Sequence, residues 1–222
     1  MRPLALSVAA VLLACGGDDP GARERVIPPG QPSSGVAGAT DPAVRATQRC
    51  DQADVSTVID SAGIGPVLRG MRIAEIATRC TVADTSITLG EGVNERAHAI
   101  SVGSRRLAVL TTGTADTSVI RVMTVDRGFR TTDGVGVGSS VQALRLAYGS
   151  ICAARGEGQF VVMASNLPGV SFAIDWNPPP SREPAVAETP FPGGDPGTAL
   201  DETRITKAWV HGISGACRVG VG

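Results

Sequence analysis

Two stretches of similar sequence decide the fold prediction, GIGPVLRGMRIAEIATRC at residues 63–80 and DGVGVGSSVQALRLAYG at residues 133–149. Gly70, Ile73 and Ile76 of the first stretch lie 68 residues before Gly138, Val141 and Leu144 of the second. Similarity at a fixed spacing is the signature of a repeated structural unit. The sequence therefore predicts two tandem copies, at residues 50–130 and 131–222.

A short helix is predicted in each copy, because apolar residues recur at helical spacing. The first stripe comprises Ile73, Ile76, Ala77 and Cys80, and the second comprises Val141, Leu144 and Tyr148. Ser139 or Ser140 is available as the N-cap of the second helix, and Gly149 is expected just after its end.

Runs of β-branched and apolar residues after each helix predict four strands per copy. The predicted strands are residues 85–90, 97–102, 105–112 and 118–125, then 151–155, 160–165, 170–175 and 204–211. Each copy is thus expected to be a helix followed by an antiparallel β-meander, which places the chain in the α+β class. Residues 177–203 interrupt the second copy, and seven prolines between Pro178 and Pro196 predict an irregular excursion there.

The amino terminus predicts export. Residues 1–14 contain one basic residue, Arg2, and an apolar run too short to span a bilayer, which is typical of a signal peptide. The run ends in Leu12-Leu13-Ala14-Cys15, which resembles the lipobox of bacterial lipoproteins. This resemblance implies cleavage before Cys15, lipidation of Cys15 and anchoring to a membrane of the cell envelope. Gly16 follows Cys15, and by the same resemblance we expect the outer membrane if the cell has one.

Residues 15–49 are rich in Gly, Pro, Ser and Asp, which predicts a flexible tether between the anchor and the folded part. Without residues 1–14 the chain carries 19 basic and 21 acidic side chains, because one of its 20 basic residues, Arg2, is removed. This near-neutral balance argues against a nucleic-acid partner.

Four cysteines remain beyond the tether, and export makes disulfides the expected state. Four cysteines allow three pairings. The repeat favours pairing within each copy, Cys50 with Cys80 and Cys152 with Cys217.

The pattern Gly70-Met71 at a helix start, repeated as Gly138-Ser139 and followed by strands, resembles the outer-membrane assembly lipoprotein BamE and, for two tandem copies, beta-lactamase inhibitory protein. The second copy lacks the methionine. Both relatives bind proteins through a sheet surface without catalysis, so the resemblance implies a binding or assembly module for an unknown envelope protein.

The last strand of each copy supplies the candidate binding face. Alternation along a strand places Arg121 and Met123 on one side and, in the second copy, Lys207, Trp209 and His211. Trp, Arg and Met are common at binding surfaces. The alternatives are that these residues form a second core between the copies or that Trp209 covers the Pro-rich excursion.

Catalytic and metal motifs are not recognisable in the sequence. Residues 134–140, GVGVGSS, place Ser139 where a dinucleotide-binding loop needs Gly, and the only histidines, His98 and His211, lack metal-ligand spacing. We therefore expect no enzyme, no cofactor and no metal. A small-ligand binder, for a lipid or a metabolite, is the alternative function, and an unfamiliar hydrolase is the least favoured one.

Overall fold

A computed structural model describes residues 41–89, 92–112, 117–156, 158–176 and 197–212. All of them belong to one compact unit, Gly35–Gly222. The predicted signal peptide, Cys15, most of the tether, Cys217 and residues 177–196 of the excursion lie outside the described residues.

Three α-helices occur in the described part of the chain, and all are short. Helix α1 is Pro42–Thr47, α2 is Ile73–Ala77 and α3 is Val141–Tyr148. The Ser140 hydroxyl caps α3 by accepting a hydrogen bond from the Ala143 amide at 3.2 Å. Gly149 follows α3 with a φ of 77°, a value that favours glycine. The cap and the end of α3 predicted from the sequence are thus confirmed.

A small antiparallel sheet precedes α2. Its strands are β1 Ile59–Asp60, β2 Gly63–Ile64 and β3 Val67–Leu68, in that order. Gly63 is required there, because a Cβ atom would collide with the backbone of Val67 and Leu68. The sequence did not predict these strands, since each is too short to show alternation.

The large sheet contains the other strands of the described residues, all antiparallel. They are β4 Thr81–Thr88, β5 Asn94–Val102, β6 Arg105–Thr111, β7 Val119–Thr124, β8 Ile151–Gly156, β9 Gln159–Ala164, β10 Val170–Ile174 and β11 Ile205–His211. Their order is β4-β5-β6-β7-β11-β10-β9-β8. The eight predicted strands are therefore present, with ends that differ by a few residues.

The prediction of an α+β fold made of helix-plus-meander repeats is wrong. The described chain is mostly β, because its helices have only 6, 5 and 8 residues. The two groups of four strands do not form separate sheets but share one sheet, which is continuous through hydrogen bonding of β7 to β11. The periodic stripe overstated α2 in particular, since the helix ends at Ala77 and Ala77 is exposed.

The sheet has an apolar cluster on each face. The main core combines Val109, Val122 and Val210 of the sheet with Ile76 of α2 and Leu144 of α3. Because successive strand residues point to opposite faces, their neighbours form a second cluster on the other side. That cluster comprises Ala97, Leu110, Met123, Ala154, Val161, Ala173 and Trp209.

Two segment boundaries differ from those predicted. Helix α1 lies inside the predicted tether of residues 15–49, and its Arg45 is 0% exposed, so the folded part begins before Cys50. At the end of the predicted excursion, Gly197–Leu200 forms a 3-10 helix and Leu200 is buried.

Candidate functional site

The seam between β7 and β11 carries the five candidate binding residues. Met123 pairs with Trp209 across the seam, and Arg121 pairs with His211. Lys207 lies two residues before Trp209, so alternation places it on the same face. The structure therefore brings all five residues onto one face of the sheet.

Burial divides this set of five. Trp209 and Met123 are each only 6% exposed and belong to the second cluster. Their packing corresponds to the second core that the sequence left open as an alternative. Arg121, Lys207 and His211 are half-buried, so the polar members of the set line the more accessible part of the face.

Register shifts move two neighbouring residues away from this face. Strict alternation from Arg121 and Lys207 would place Val119 and Ile205 on the candidate face as well, but both are buried in the main core. Irregularities between Leu110 and Thr111 and between Ala173 and Ile174 reverse the alternation there. Sequence patterns of period two do not reveal such bulges.

A groove of about 420 Å³ opens on the same face and extends from β4 to β11. Strands of a sheet are about 4.8 Å apart, so four spacings make it roughly 19 Å wide. Ala99 and Ala108 are cross-strand partners, and Ala108 also pairs with Met123. The small side chains of these alanines form the floor of the groove. Larger side chains, including Ile87, Met123 and Lys207, form its walls.

The charge of the groove lining is positive. Arg106 and Lys207 line it, and no acidic side chain is among its described lining residues. In the described part of the chain neither cation has an ion-pair partner. Val125, which is 67% exposed, also lines the groove. An apolar floor beside free cations suits a ligand with both apolar and anionic parts.

A second cavity lies next to the groove and shares Val125 with it. Arg127 and Arg204 line this cavity of about 650 Å³ together with one acid, Asp175. The Arg204 guanidinium also contacts the Gly138 carbonyl oxygen at 3.5 Å. These arginines, which the sequence did not single out, extend the positive charge beyond the groove.

A serine and a histidine form a hydrogen-bonded pair near the seam. Ser171 Oγ lies 2.7 Å from His211 Nε2. Such a pair can activate a nucleophile, but Ser171 is only 3% exposed, which keeps its oxygen out of reach of a substrate in this structure. The expectation that the protein is not an enzyme stays a prediction. A panel of hydrolase substrates tests it, and activity of the wild type that a Ser171→Ala variant lacks would contradict it.

The disulfide predicted between Cys50 and Cys80 is confirmed, with a Cα–Cα distance of 4.9 Å. It ties the segment after α1 to the start of β4. Cys152 is also disulfide-bonded, and its predicted partner Cys217 lies outside the described residues.

The described ranges of the chain hold no group of three or more His, Cys, Asp or Glu side chains that could bind a metal ion. None of their helices has the length and apolar character needed to cross a membrane.

Comparisons with known proteins give little for function. No family model and no curated protein matches the chain. Among solved structures, the uncharacterized protein yfeY from Escherichia coli is similar, with a TM-score of 0.42 and 17% identity. That match covers 75% of this chain and 100% of that chain.

Proposed function

We propose that the protein is a lipid-anchored protein of the cell envelope that acts as a non-catalytic protein-binding or assembly module. The observation that carries this proposal is the exposed edge of the large sheet at β4. The anchor itself rests on the Leu12-Leu13-Ala14-Cys15 motif, and the partner is an envelope protein that offers an extended segment.

Strand β4 stands at one end of the strand order, and in the described residues it pairs only with β5. All eight of its residues are exposed or half-buried. The facing residues Asn94, Glu95 and Arg96 of β5 are exposed as well, so this end of the hairpin projects from the core.

An edge strand of this kind presents backbone donors and acceptors to another chain. Natural edges are usually blocked by Pro, charged side chains, bulges or short length. Strand β4 has the sequence TVADTSIT and pairs continuously with β5 from Thr81 to Thr88, so it has neither Pro nor a bulge, and Asp84, which lies 3.1 Å from His98 of β5, is its one charged residue. It therefore suits addition of a partner strand, a common mode of peptide recognition.

Site-specific photo-crosslinking in intact membranes tests this proposal. A photoreactive residue at Ser86 of β4 should capture one partner, whereas the same residue at Gln142, which is exposed on α3, should not. Equal capture at both positions, or no capture at Ser86, would contradict the edge as the binding site.

Proline substitutions sharpen the test, because adjacent strand residues direct their amides to opposite sides. Of Thr85→Pro and Ser86→Pro, one removes an outward amide and the other breaks a bond to β5. The variant that keeps the melting temperature should lose partner capture. Unchanged capture by that variant would argue against strand addition.

A second candidate function is binding of a small ligand, either a lipid or a metabolite. The groove of about 420 Å³ favours it, since ligand sites typically measure about 300 to 1,000 Å³ and are mostly apolar with a few polar groups. Native mass spectrometry of the protein released from membranes tests this function. A bound small molecule would support it, and a mass of the lipidated chain alone would oppose it.

A further inference from the structure

We propose that the groove binds a single-chain amphiphile with an anionic headgroup, the chain lying on the alanine floor and the headgroup lying between Arg106 and Lys207. This inference rests on the ligand-binding function proposed above and names the chemistry of the ligand.

The floor provides the apolar part of the site. Ala99 and Ala108 face each other on neighbouring strands, and Met123 continues the row. Ile87 of β4 forms part of the wall. Unbranched chains suit such a floor, because they are thin enough to lie over alanines between taller side chains. Methionine adds a flexible contact that adapts to the chain.

The cations provide the polar part. Arg106 lies two residues before Ala108, Val125 lies two after Met123, and Lys207 lies two before Trp209, so all three occupy one row on this face. Two strand spacings separate Arg106 from Lys207, about 10 Å in all. Both are long side chains, and one anionic group between them is within reach of each.

The surroundings favour an anion over a neutral headgroup. The groove lining contains two cations and no acid in the described chain, and neither cation is engaged in an ion pair there. Arg127 and Arg204 of the neighbouring cavity add further positive charge. Hydrogen bonds from charged donors to anionic oxygens are about twice as strong as neutral ones.

The size of the groove suits a small single-chain molecule, because a volume of about 420 Å³ lies in the range of small-ligand sites. Val125, 67% exposed at the junction of both cavities, would be covered by the first carbons of the chain.

Calorimetric titration of the full chain, held in an uncharged amphipol, tests the proposal. The probes are octyl phosphate, octyl glucoside with the same chain and a neutral head, inorganic phosphate without a chain, and a short polyglutamate peptide. Uptake of the probes by the polymer is common to all variants, so differences between variants report the groove.

Lys207→Met and Arg106→Met remove one charge each and keep an apolar stem. Each should weaken octyl phosphate binding about tenfold, the loss of one charge-assisted hydrogen bond. Ala108→Leu and Ala99→Leu each place a larger side chain on the floor and should prevent the octyl chain of the probe from binding. Two variants are used in case one fails to fold. Arg96→Met is the matched control, because Arg96 is exposed in the same hairpin but points to the other face from Ala97.

After subtraction of the heats measured with the chain-blocking leucine variant, which report uptake by the polymer, the proposal expects octyl phosphate to bind more tightly than every other probe and the control variant to match the wild type. Equal binding of octyl glucoside would overturn the anionic headgroup while leaving the ligand-binding function intact. Absence of binding by both octyl probes would overturn the amphiphile proposal and also the ligand-binding function on which it rests. Polyglutamate binding that Lys207→Met abolishes would overturn the proposal in favour of an acidic polypeptide.

Discussion

The Arg45 side chain is fully buried, and the carboxylate of Asp60 neutralises it. Its Nη2 atom donates to both carboxylate oxygens at 2.7 and 2.8 Å, and Nη1 donates to the Val58 carbonyl at 3.1 Å. Asp60 also accepts the amides of Ala62 and Gly63, which form the turn between β1 and β2. One ion pair thus fastens α1 to the small sheet.

Removal of one partner from this pair should destabilise the fold strongly. We expect Arg45→Met to lower the free energy of unfolding by about 3 kcal/mol, the lower end for a buried pair, because Asp60 is 28% exposed and keeps some water. The exposed pair of Arg49 and Asp51 provides the control, and Arg49→Met should have no measurable effect. Denaturant unfolding compares the variants, and equal losses would contradict this account.

The sequence allows two roles for Trp209, either as a binding hot spot or as a residue of the core. Its 6% exposure and its packing in the second cluster predict a core role. Trp209→Ala should therefore cost about 3 to 5 kcal/mol of stability. Leu146→Ala, at a position 80% exposed on α3, is the control and should cost far less. A Trp209→Ala protein that melts like the wild type would contradict the core role.

At the scale of elements, strands were easier to predict than helices. Strands β4 to β11 have five to nine residues each, long enough for their β-branched and apolar residues to stand out in the sequence. Strands β1 to β3 have two residues each, so they leave no pattern. Helix α2 ends after five residues because the chain turns at Thr78 toward the Cys50–Cys80 disulfide.

Helix α3 carries Tyr148, and burial raises the pKa of this phenol above its usual value. The chain contains one tyrosine, so ultraviolet titration of the phenol reports Tyr148 alone. As the pH rises, Tyr148 ionises in the unfolded chain before it ionises in the folded protein. The contribution of the neutral phenol to the stability of the fold is therefore complete below the unfolded pKa of about 10 and is lost as the pH rises above it.

The folded protein should therefore show a titration midpoint above that of the protein in concentrated urea. Stability should fall as the pH rises above about 10, and Tyr148→Phe should reduce this fall. Identical midpoints in folded and unfolded protein would show that Tyr148 is not shielded from water.

The second disulfide is also a prediction at this scale. Cys152 lies in β8, at the edge of the sheet opposite β4. Pairing with Cys217 would close a loop of about 65 residues and stabilise the fold by roughly 4.4 kcal/mol in the loop-entropy model. Peptide mapping without reduction identifies the partner. A peptide joining Cys152 to any other cysteine would disprove the pairing.

At the scale of the whole molecule, the sequence predicted the parts better than their assembly. The similarity of residues 63–80 and 133–149 suggested two units, but only long-range pairing of Met123 with Trp209 shows that their strands share one sheet. The five candidate residues were placed on one face correctly. The residues that line the groove were not predicted as a group, because Lys207 is distant in sequence from Ala99 and Ala108, and the two alanines look ordinary one by one.

The continuous sheet leaves its two edges, β4 and β8, as the places where strand pairing ends in the described chain. The proposed partner site at β4 and the groove lie on the same half of the sheet, since Thr85 and Ile87 of β4 line the groove. A bound amphiphile would therefore contact the strand that is proposed to receive a partner, which links the two proposed functions physically.

A lipid anchor would hold this whole assembly at a membrane, and its prediction rests on Leu12-Leu13-Ala14-Cys15. Two or three acyl chains each contribute about 0.8 kcal/mol per buried CH₂, so the lipidated protein should sediment with membranes and resist high salt. Mass spectrometry of the amino-terminal peptide should show that residues 1–14 are removed and that Cys15 carries acyl chains. Cys15→Ser should release the protein into the soluble fraction with its melting temperature unchanged, because Cys15 precedes the folded part. An unmodified Met1, or a Cys15→Ser protein that still sediments with membranes, would disprove the anchor and would leave the edge strand and the groove to be explained in a protein free of the membrane.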